Sequence, residues 1–254
     1  MFVIGNIIAA FATFSRIPMP HIEYHERNTK YSLCFFPLVG AVVGALMLLV
    51  HALCGLLAVG AVLRAALLLA VPVLVTGGIH LDGYCDTVDA LSSFAPREKK
   101  LQILKDPNAG AFAVIYCGLW YLLYFGALTE LDTAFFVILP GFVLSRAMSA
   151  LAVVNFRSAR EDGMGAHEKK SASRTAVNIM MPVFIVLSVA LMVWLNPICG
   201  AAGAAAAGLA FLYYRIKSYR IFGGFTGDIA GWFLQISELA VCLTVTVAER
   251  ILLL

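Results

Sequence analysis

Seven stretches of the chain are almost free of charge, and the polar connections between them alternate between long and short. The apolar stretches cover residues 33–60, 62–76, 110–128, 134–156, 179–195, 198–214 and 229–248, with a shorter one at residues 2–14. A helix needs about 20 apolar residues to cross the hydrocarbon core of a bilayer. Several of the stretches reach that length, and those near 16 residues must borrow flanking residues or thin the bilayer. Helices are the expected form, because each satisfies its own backbone hydrogen bonds in lipid. The pattern predicts an all-α, polytopic integral membrane helical bundle of about seven transmembrane helices, with a short N-terminal apolar helix. Hydropathy leaves open whether residues 2–14 cross, re-enter or lie in the interface. No basic region precedes them, which reads as a retained segment rather than a cleaved signal.

The connections give the orientation. Residues 16–31 hold Arg16, Arg27 and Lys30, and residues 80–109 hold Arg97, Lys99, Lys100 and Lys105. Residues 157–175 hold Arg157, Arg160, Lys169, Lys170 and Arg174, and residues 215–228 hold Arg215, Lys217 and Arg220. The alternate connections are short and hold one arginine, Arg64, beside Glu130 and Asp132. Cytoplasmic loops carry the excess of Lys and Arg. Three helical hairpins entering from the cytoplasm, with the last run ending outside near Glu249–Arg250, satisfy that rule. The expected location is the bacterial inner (cytoplasmic) membrane, with every long polar segment on the cytoplasmic side.

Composition sharpens this picture. Of 254 residues 61% are hydrophobic and 13% charged, with mean hydropathy +0.90. Soluble domains carry about 25% charged residues, so most of this chain has lipid for its solvent. A net charge of +3 gives no case for nucleic acid. The six cysteines are scattered without a CxxC pair, so neither a disulfide frame nor a zinc site is indicated. No internal repeat is visible, and residues 1–254 read as one integral membrane domain. A homo-oligomer is allowed by the sequence but not indicated by it.

The sharpest chemical signal is residues 76–91, TGGIHLDGYCDTVDAL. Asp82, Asp86 and Asp89 are spaced i, i+4, i+7, so a helix places all three on one face. Like charges at that spacing repel by a few tenths of a kcal/mol per pair. A helix cap accounts for one of them, Asp82, but not for a stripe of three. A divalent cation accounts for all three, and Mg2+ prefers carboxylate and water oxygens shared with substrate phosphates. Gly77 and Gly78 permit a turn or the close approach of a ligand. His80 is open to three roles: proton shuttle, phosphate contact or interfacial histidine.

A second motif, GGFTGD at residues 223–228, precedes the last apolar run. The amides around Gly223, Gly224, Thr226 and Gly227 can face an anion at the start of the following helix. Asp228 reads as the N-cap of that helix or as a further ligand. Glu238 falls about 15 Å along the same run at the α-helical rise, where an unpaired carboxylate costs several kcal/mol. Arg146, in the middle of another run, is its candidate partner or an anion ligand. KDPNAG at residues 105–110 places Lys105 and Asp106 at a turn before the next span. The basic stretch 157–174 serves topology, or holds a polyanionic substrate or anionic lipid. Carboxylates with a metal, glycine-rich anion loops and arginines at one membrane face suit transfer of a phosphoryl or diphosphate-linked group.

These residues resemble a known family, the cobalamin synthases or adenosylcobinamide-GDP ribazoletransferases. TGGIHLDGYCDTVDAL matches the family segment TGGxHLDGxxDTxDG. The similarity continues through FATFSRIPMP (11–20), FFPLVGAVVG (35–44), KDPNAGA (105–111), Ser145–Arg146, GMG (163–165) and GGFTGDIAGWFLQISELA (223–240). Ala90, Cys85 and Pro107 depart from the residues usual in the family, and Pro107 lies nearest the proposed site. The resemblance implies a Mg2+-dependent coupling of adenosylcobinamide-GDP with α-ribazole or its 5′-phosphate. The products are adenosylcobalamin or its phosphate, and GMP. It implies metal ligands at Asp82, Asp86, Asp89 and Asp228, with His80 among the catalytic groups. Substrate contacts fall at Gly77, Gly78, Lys105, Asp106, Arg146, Gly223, Gly224, Thr226, Gly227 and Glu238. The enzymatic rivals are a CDP-alcohol phosphotransferase, whose DGxxAR continuation is missing, and a prenyltransferase, whose second aspartate-rich motif is missing. A secondary transporter coupling Glu238 and Arg146 would show internal repeats.

Overall fold

A computed structural model describes residues 2–21 and 26–254; residue 1 and residues 22–25, part of the first basic connection, lie outside the described set. The helices are α1 (Phe2–Phe14), α2 (Glu26–Thr29), α3 (Ser32–Leu56), α4 (Ala61–Thr76), α5 (Ile79–Ser92) and α6 (Arg97–Ile103). They continue as α7 (Ala111–Glu130), α8 (Phe135–Asn155), α9 (Met164–Ser171), α10 (Arg174–Leu195), α11 (Pro197–Lys217) and α12 (Gly227–Leu252). A π-helical turn, Ser218–Phe222, follows α11. Among the described residues there is no strand, only one isolated bridge between Ser158 and Phe225.

Six helices are long and apolar enough to cross a membrane: α3, α7, α8, α10, α11 with its π turn, and α12. The seventh apolar run behaves differently. α4 has only 16 residues, and it joins α5 at a bend of 93°. The break is Gly77–Gly78, with φ of +65° and +78°. Two successive residues in the left-handed region turn the chain out of the span at little steric cost only because both are glycine. α5 therefore leaves the direction of α4 and carries its aspartates across the end of the bundle. α1 is a 13-residue helix, too short to cross unaided at about 1.5 Å per residue, and it packs on α3.

α8 and α12 form the buried centre. α8 packs against α3, α10, α11 and α12, while α12 also contacts α5 and α7. The peripheral helices turn apolar side chains such as Leu122, Ile179, Val186 and Leu209 outward, as a lipid-facing surface requires. Without a hydrophobic force between helices in lipid, close backbone approach matters more. The small-residue run of α11 serves that purpose. A Cβ at Gly203 would stand 2.9 Å from both Met192 and Val245, and Gly200 abuts the α10 backbone at Met192.

The long polar connections gather at one end. Ser173 N–H donates to the Lys30 carbonyl (2.7 Å), Arg157 Nε donates to the Gly223 carbonyl (2.9 Å), and Lys105 pairs with Asp162. At the opposite end Glu249 accepts from the Asp132 and Ala134 amides and the Thr133 hydroxyl, at 2.7–2.9 Å. The hairpin arrangement read from the basic residues is the one observed.

Candidate active site

The site is built where α5 crosses α12. Gly83 and Gly231 make the crossing close. A Cβ on Gly83 would lie 2.7 Å from the Asp228 carbonyl oxygen, and one on Gly231 would lie 3.0 Å from the His80 carbonyl oxygen. The glycine after Asp82 thus brings Asp82 beside Asp228. Gly83→Ala is expected to push α5 off α12 by a fraction of an ångström to an ångström. Misplacement on that scale costs on the order of 10²-fold in turnover. Circular dichroism alongside turnover checks this: unchanged helix content with reduced turnover supports it, and unchanged turnover refutes it.

Asp82 lies in the first turn of α5, whose N-cap is Gly78, so Asp82 is not a cap. Asp86, one turn on, feels the negative charge of Asp82, Asp228 and Asp89, and the positive charge of Arg160. Asp89 has a separate task. Its carboxylate accepts from Gly110 N–H (2.6 Å) and Ala113 N–H (2.9 Å) and so caps α7 from a distance. α7 needs this help because its own N-cap is Gly110, which has no side chain to offer.

The sequence leaves Asp228 as the N-cap of the last helix or a further ligand, and the structure removes the first of these. Thr226 is the cap, its Oγ1 accepting from Ile229 N–H at 3.3 Å. Asp228 sits in the first turn and is free to take Arg160 Nη2 at 3.0 Å and the Thr226 hydroxyl at 3.2 Å. Part of the glycine loop is already committed. The Gly223 and Gly224 amides donate to the Ser218 carbonyl, and Phe225 N–H donates to the Arg157 carbonyl. Already bonded, these amides are not available to an anion. Their effect is to clamp residues 157–159 against the loop, with Ala159 N–H donating back to the Phe225 carbonyl (2.9 Å). That clamp delivers Arg160 to Asp228. Gly165 completes it, since a Cβ there would lie 2.7 Å from Gly227 N.

KDPNAG forms a turn in which the Asp106 carboxylate accepts from the Asn108 amide (3.0 Å) and side chain (2.9 Å). Those bonds hold the Asp106 carboxyl below its ordinary range. Lys105 bonds Asp162, whose carboxyl is lowered by that contact. Lys105 thus bridges the 104–110 and 160–163 connections while Asp106 closes its own turn, and neither side chain joins the aspartates of α5.

Arg146 and Glu238 form a buried pair at 2.7 Å, with side chains 1% and 2% exposed. Arg146 also donates to the Phe142 carbonyl (3.0 Å), and the Ser145 hydroxyl bonds Glu238 (3.3 Å). The pair borders neither cavity at the site, and the partner reading of Arg146 is the one observed. His80 is 5% exposed, with its ring edge against Phe36. It is a buried histidine, not one reaching for the interface.

Two cavities flank Asp82. One, of about 150 Å³, lies among α1, α3, α5, α8, α9 and α12, and is bordered by His80, Asp82, Arg160, Glu168 and Asp228. The other, of about 500 Å³, is more open and is bordered by Arg16, Gly77, Gly78, Asp82 and Cys85. Sequence reasoning missed Arg16, Arg160 and Glu168 as site residues. Arg16 carried only a topology signal, Arg160 lay in a basic stretch read as topology or polyanion binding, and Glu168 carried none. Among the described residues no three His, Cys, Asp or Glu side chains stand close enough to hold a metal ion by themselves. Mg2+ does not require that, because it commonly takes one or two carboxylates and completes its shell with water and substrate phosphates.

Fold and site define a multi-pass membrane protein with a carboxylate-centred pocket at the polar end of its helical bundle. Residues 6–246 match the family model for cobalamin-5-phosphate synthase, and the chain belongs to that family. It is 43% identical over 251 residues to the adenosylcobinamide-GDP ribazoletransferase of Lachnoclostridium phytofermentans, covering 98% of this chain and 96% of the relative. Proteins of the same name from Geobacillus thermodenitrificans (33% identical over 241 residues, 91% of each chain) and Clostridium botulinum (30% over 241 residues, 92% and 94%) are also similar. No solved structure matches the chain.

Proposed function

We propose that this protein is an adenosylcobinamide-GDP ribazoletransferase, joining α-ribazole or its 5′-phosphate to the corrinoid phosphate and releasing GMP. The observation that carries the reading is the crossing of α5 and α12. There the two family motifs meet, with Asp82 bordering both cavities, Asp228 bordering one, and Asp86 one turn along α5 within reach of both charges. None of the three relatives described above is named as a CDP-alcohol phosphotransferase, a prenyltransferase or a transporter.

In this reading a ribose hydroxyl attacks the phosphorus that carries the cobinamide. A P–O bond to the sugar forms, the bond to the GMP phosphate breaks, and the hydroxyl proton passes to a carboxylate at the crossing. Asp228 suits that last task because the Arg160 guanidinium and the Thr226 hydroxyl fix its orientation. Asp82 and Asp86 are mutually repelling carboxylates with no cationic side chain bonded to them among the described residues. Their chemistry fits Mg2+ held by one or two carboxylates and completed by water and substrate phosphates, whereas Asp89 is committed to α7. When bound, the ion would neutralise diphosphate charge as it develops. The basic residues at this end support a cytoplasmic face of the inner membrane for the site, by the positive-inside rule.

The test is the purified protein in lipid nanodiscs with adenosylcobinamide-GDP, α-ribazole phosphate and Mg2+. GMP and corrinoid product are expected to rise together, to stop on chelation and to return with Mg2+. Absence of both products, under conditions where an established ribazoletransferase forms them, refutes the reading.

A further inference from the structure

We propose that the enclosed cavity beside Asp82 receives the attacking nucleoside, its apolar base against the buried aromatic and aliphatic wall and its sugar hydroxyls on His80 and Glu168. The proposal rests on the ribazoletransferase reading and assigns the two substrates to the two sides of Asp82.

Three buried polar atoms of residues bordering this one cavity have no partner among the described residues: His80 Nε2, Glu168 Oε2 and Arg160 Nη1. Such atoms are costly to leave unsatisfied, so a ligand that supplies hydrogen-bonding hydroxyls is favoured. A hydroxyl is both donor and acceptor, and it suits His80 in either tautomer and Glu168 as an acceptor. His80 is already oriented, its ring packed against Phe36. Burial raises the Glu168 carboxyl above its ordinary range, as expected for an acceptor awaiting a donor.

The remainder of the wall decides the class of base. Phe14, Leu33, Phe36 and Leu234 are buried and offer no side-chain hydrogen bond. Guanine carries polar atoms on every edge, which this wall would leave unpaired. A benzimidazole, mostly carbon, would not suffer that loss. At about 150 Å³ the cavity is of a size that accommodates an aromatic ring. Its charged border opposes a phosphate, because Asp82, Glu168 and Asp228 face a single cation, Arg160, already paired with Asp228. The open cavity on the other side of Asp82 is bordered by Arg16, and Asp82 is the one acidic residue in that lining. Nucleoside on the enclosed side and diphosphate on the open side place attacking and leaving oxygens on opposite sides of the phosphorus, as in-line displacement needs.

KM for each substrate, measured in nanodiscs for wild type, Glu168→Gln and Met164→Trp, tests this. Met164 borders the cavity and is 50% exposed, so tryptophan there narrows the entrance without entering the core. Each substitution is expected to raise KM for α-ribazole about tenfold, the scale of one lost hydrogen bond or contact. KM for adenosylcobinamide-GDP should stay within about twofold. Free benzimidazole base should compete with α-ribazole and not with adenosylcobinamide-GDP. A wild type that releases no GMP defeats the ribazoletransferase reading itself. A working wild type overturns the cavity assignment alone if the substitutions act on KM for adenosylcobinamide-GDP, if they leave both KM values unmoved, or if the base competes with the corrinoid. Should Glu168→Gln fail to fold, Met164→Trp and the inhibition pattern decide.

Discussion

Asp82→Asn is expected to lower turnover by about 10²–10³-fold while leaving the helical bundle intact, the scale seen when one preorganised charge-stabilising group is removed from an active site. Three observations place the effect at this residue. Asp82 alone among the aspartates borders both cavities together with Arg16 on one side and Arg160 on the other. It is not a helix cap, so its loss removes no helix-terminal hydrogen bond. Its carboxylate also repels Asp86 and Asp228, so the amide should, if anything, stabilise the empty protein. The measurement is GMP release and thermal unfolding of wild type and variant side by side. A variant that is slower but equally or more stable supports the assignment; a variant with wild-type turnover removes Asp82 from the chemistry. Asp89→Asn should behave differently. It weakens a cap on α7, so stability should fall by about 1 kcal/mol.

Arg146→Met is expected to be the most destabilising single change, at about 3–5 kcal/mol, because it leaves Glu238 buried and uncompensated. The pair borders neither cavity and bridges the two central helices, α8 and α12. Removing both partners should recover most of the loss, since hydrophobic residues of similar volume often replace a buried ion pair without penalty. Thermal unfolding of Arg146→Met, Glu238→Leu and the double variant in nanodiscs checks this. Equal stability of single and double variants would show that the pair is not coupled. A double variant that is stable but inactive would return Arg146 and Glu238 to the substrate contacts implied by the family.

Much of this was legible beforehand because lipid makes severe demands. Spans, hairpins and the gathering of polar segments follow from hydropathy and the distribution of Lys and Arg, and neither signal needs tertiary information. The Asp82 stripe was legible because carboxylates repeating at helical spacing beside an apolar run are costly without a purpose. Pairing of Glu238 with Arg146 was within reach for the same reason, as each is a lone charge in a different apolar run. Other assignments failed because capping is decided by one or two residues of register. Thr226 rather than Asp228 starts α12, and Asp89 caps a helix 21 residues away in sequence from Gly110's amide.

The sequence by itself determined an all-helical membrane chain, the family to which it belongs and the end of the bundle where its chemistry resides, because those depend on composition, periodicity and motif. Only the tertiary structure decided that Gly77–Gly78 bends α5 out of the span, that Gly83 and Gly231 bring Asp82 against Asp228, and that Gly223 and Phe225 of the GGFTGD loop bind residues 157–159. It alone brought Arg160 and Glu168 into the site. Each of these depends on which backbones approach closely, and a glycine records that an approach is possible without recording what approaches.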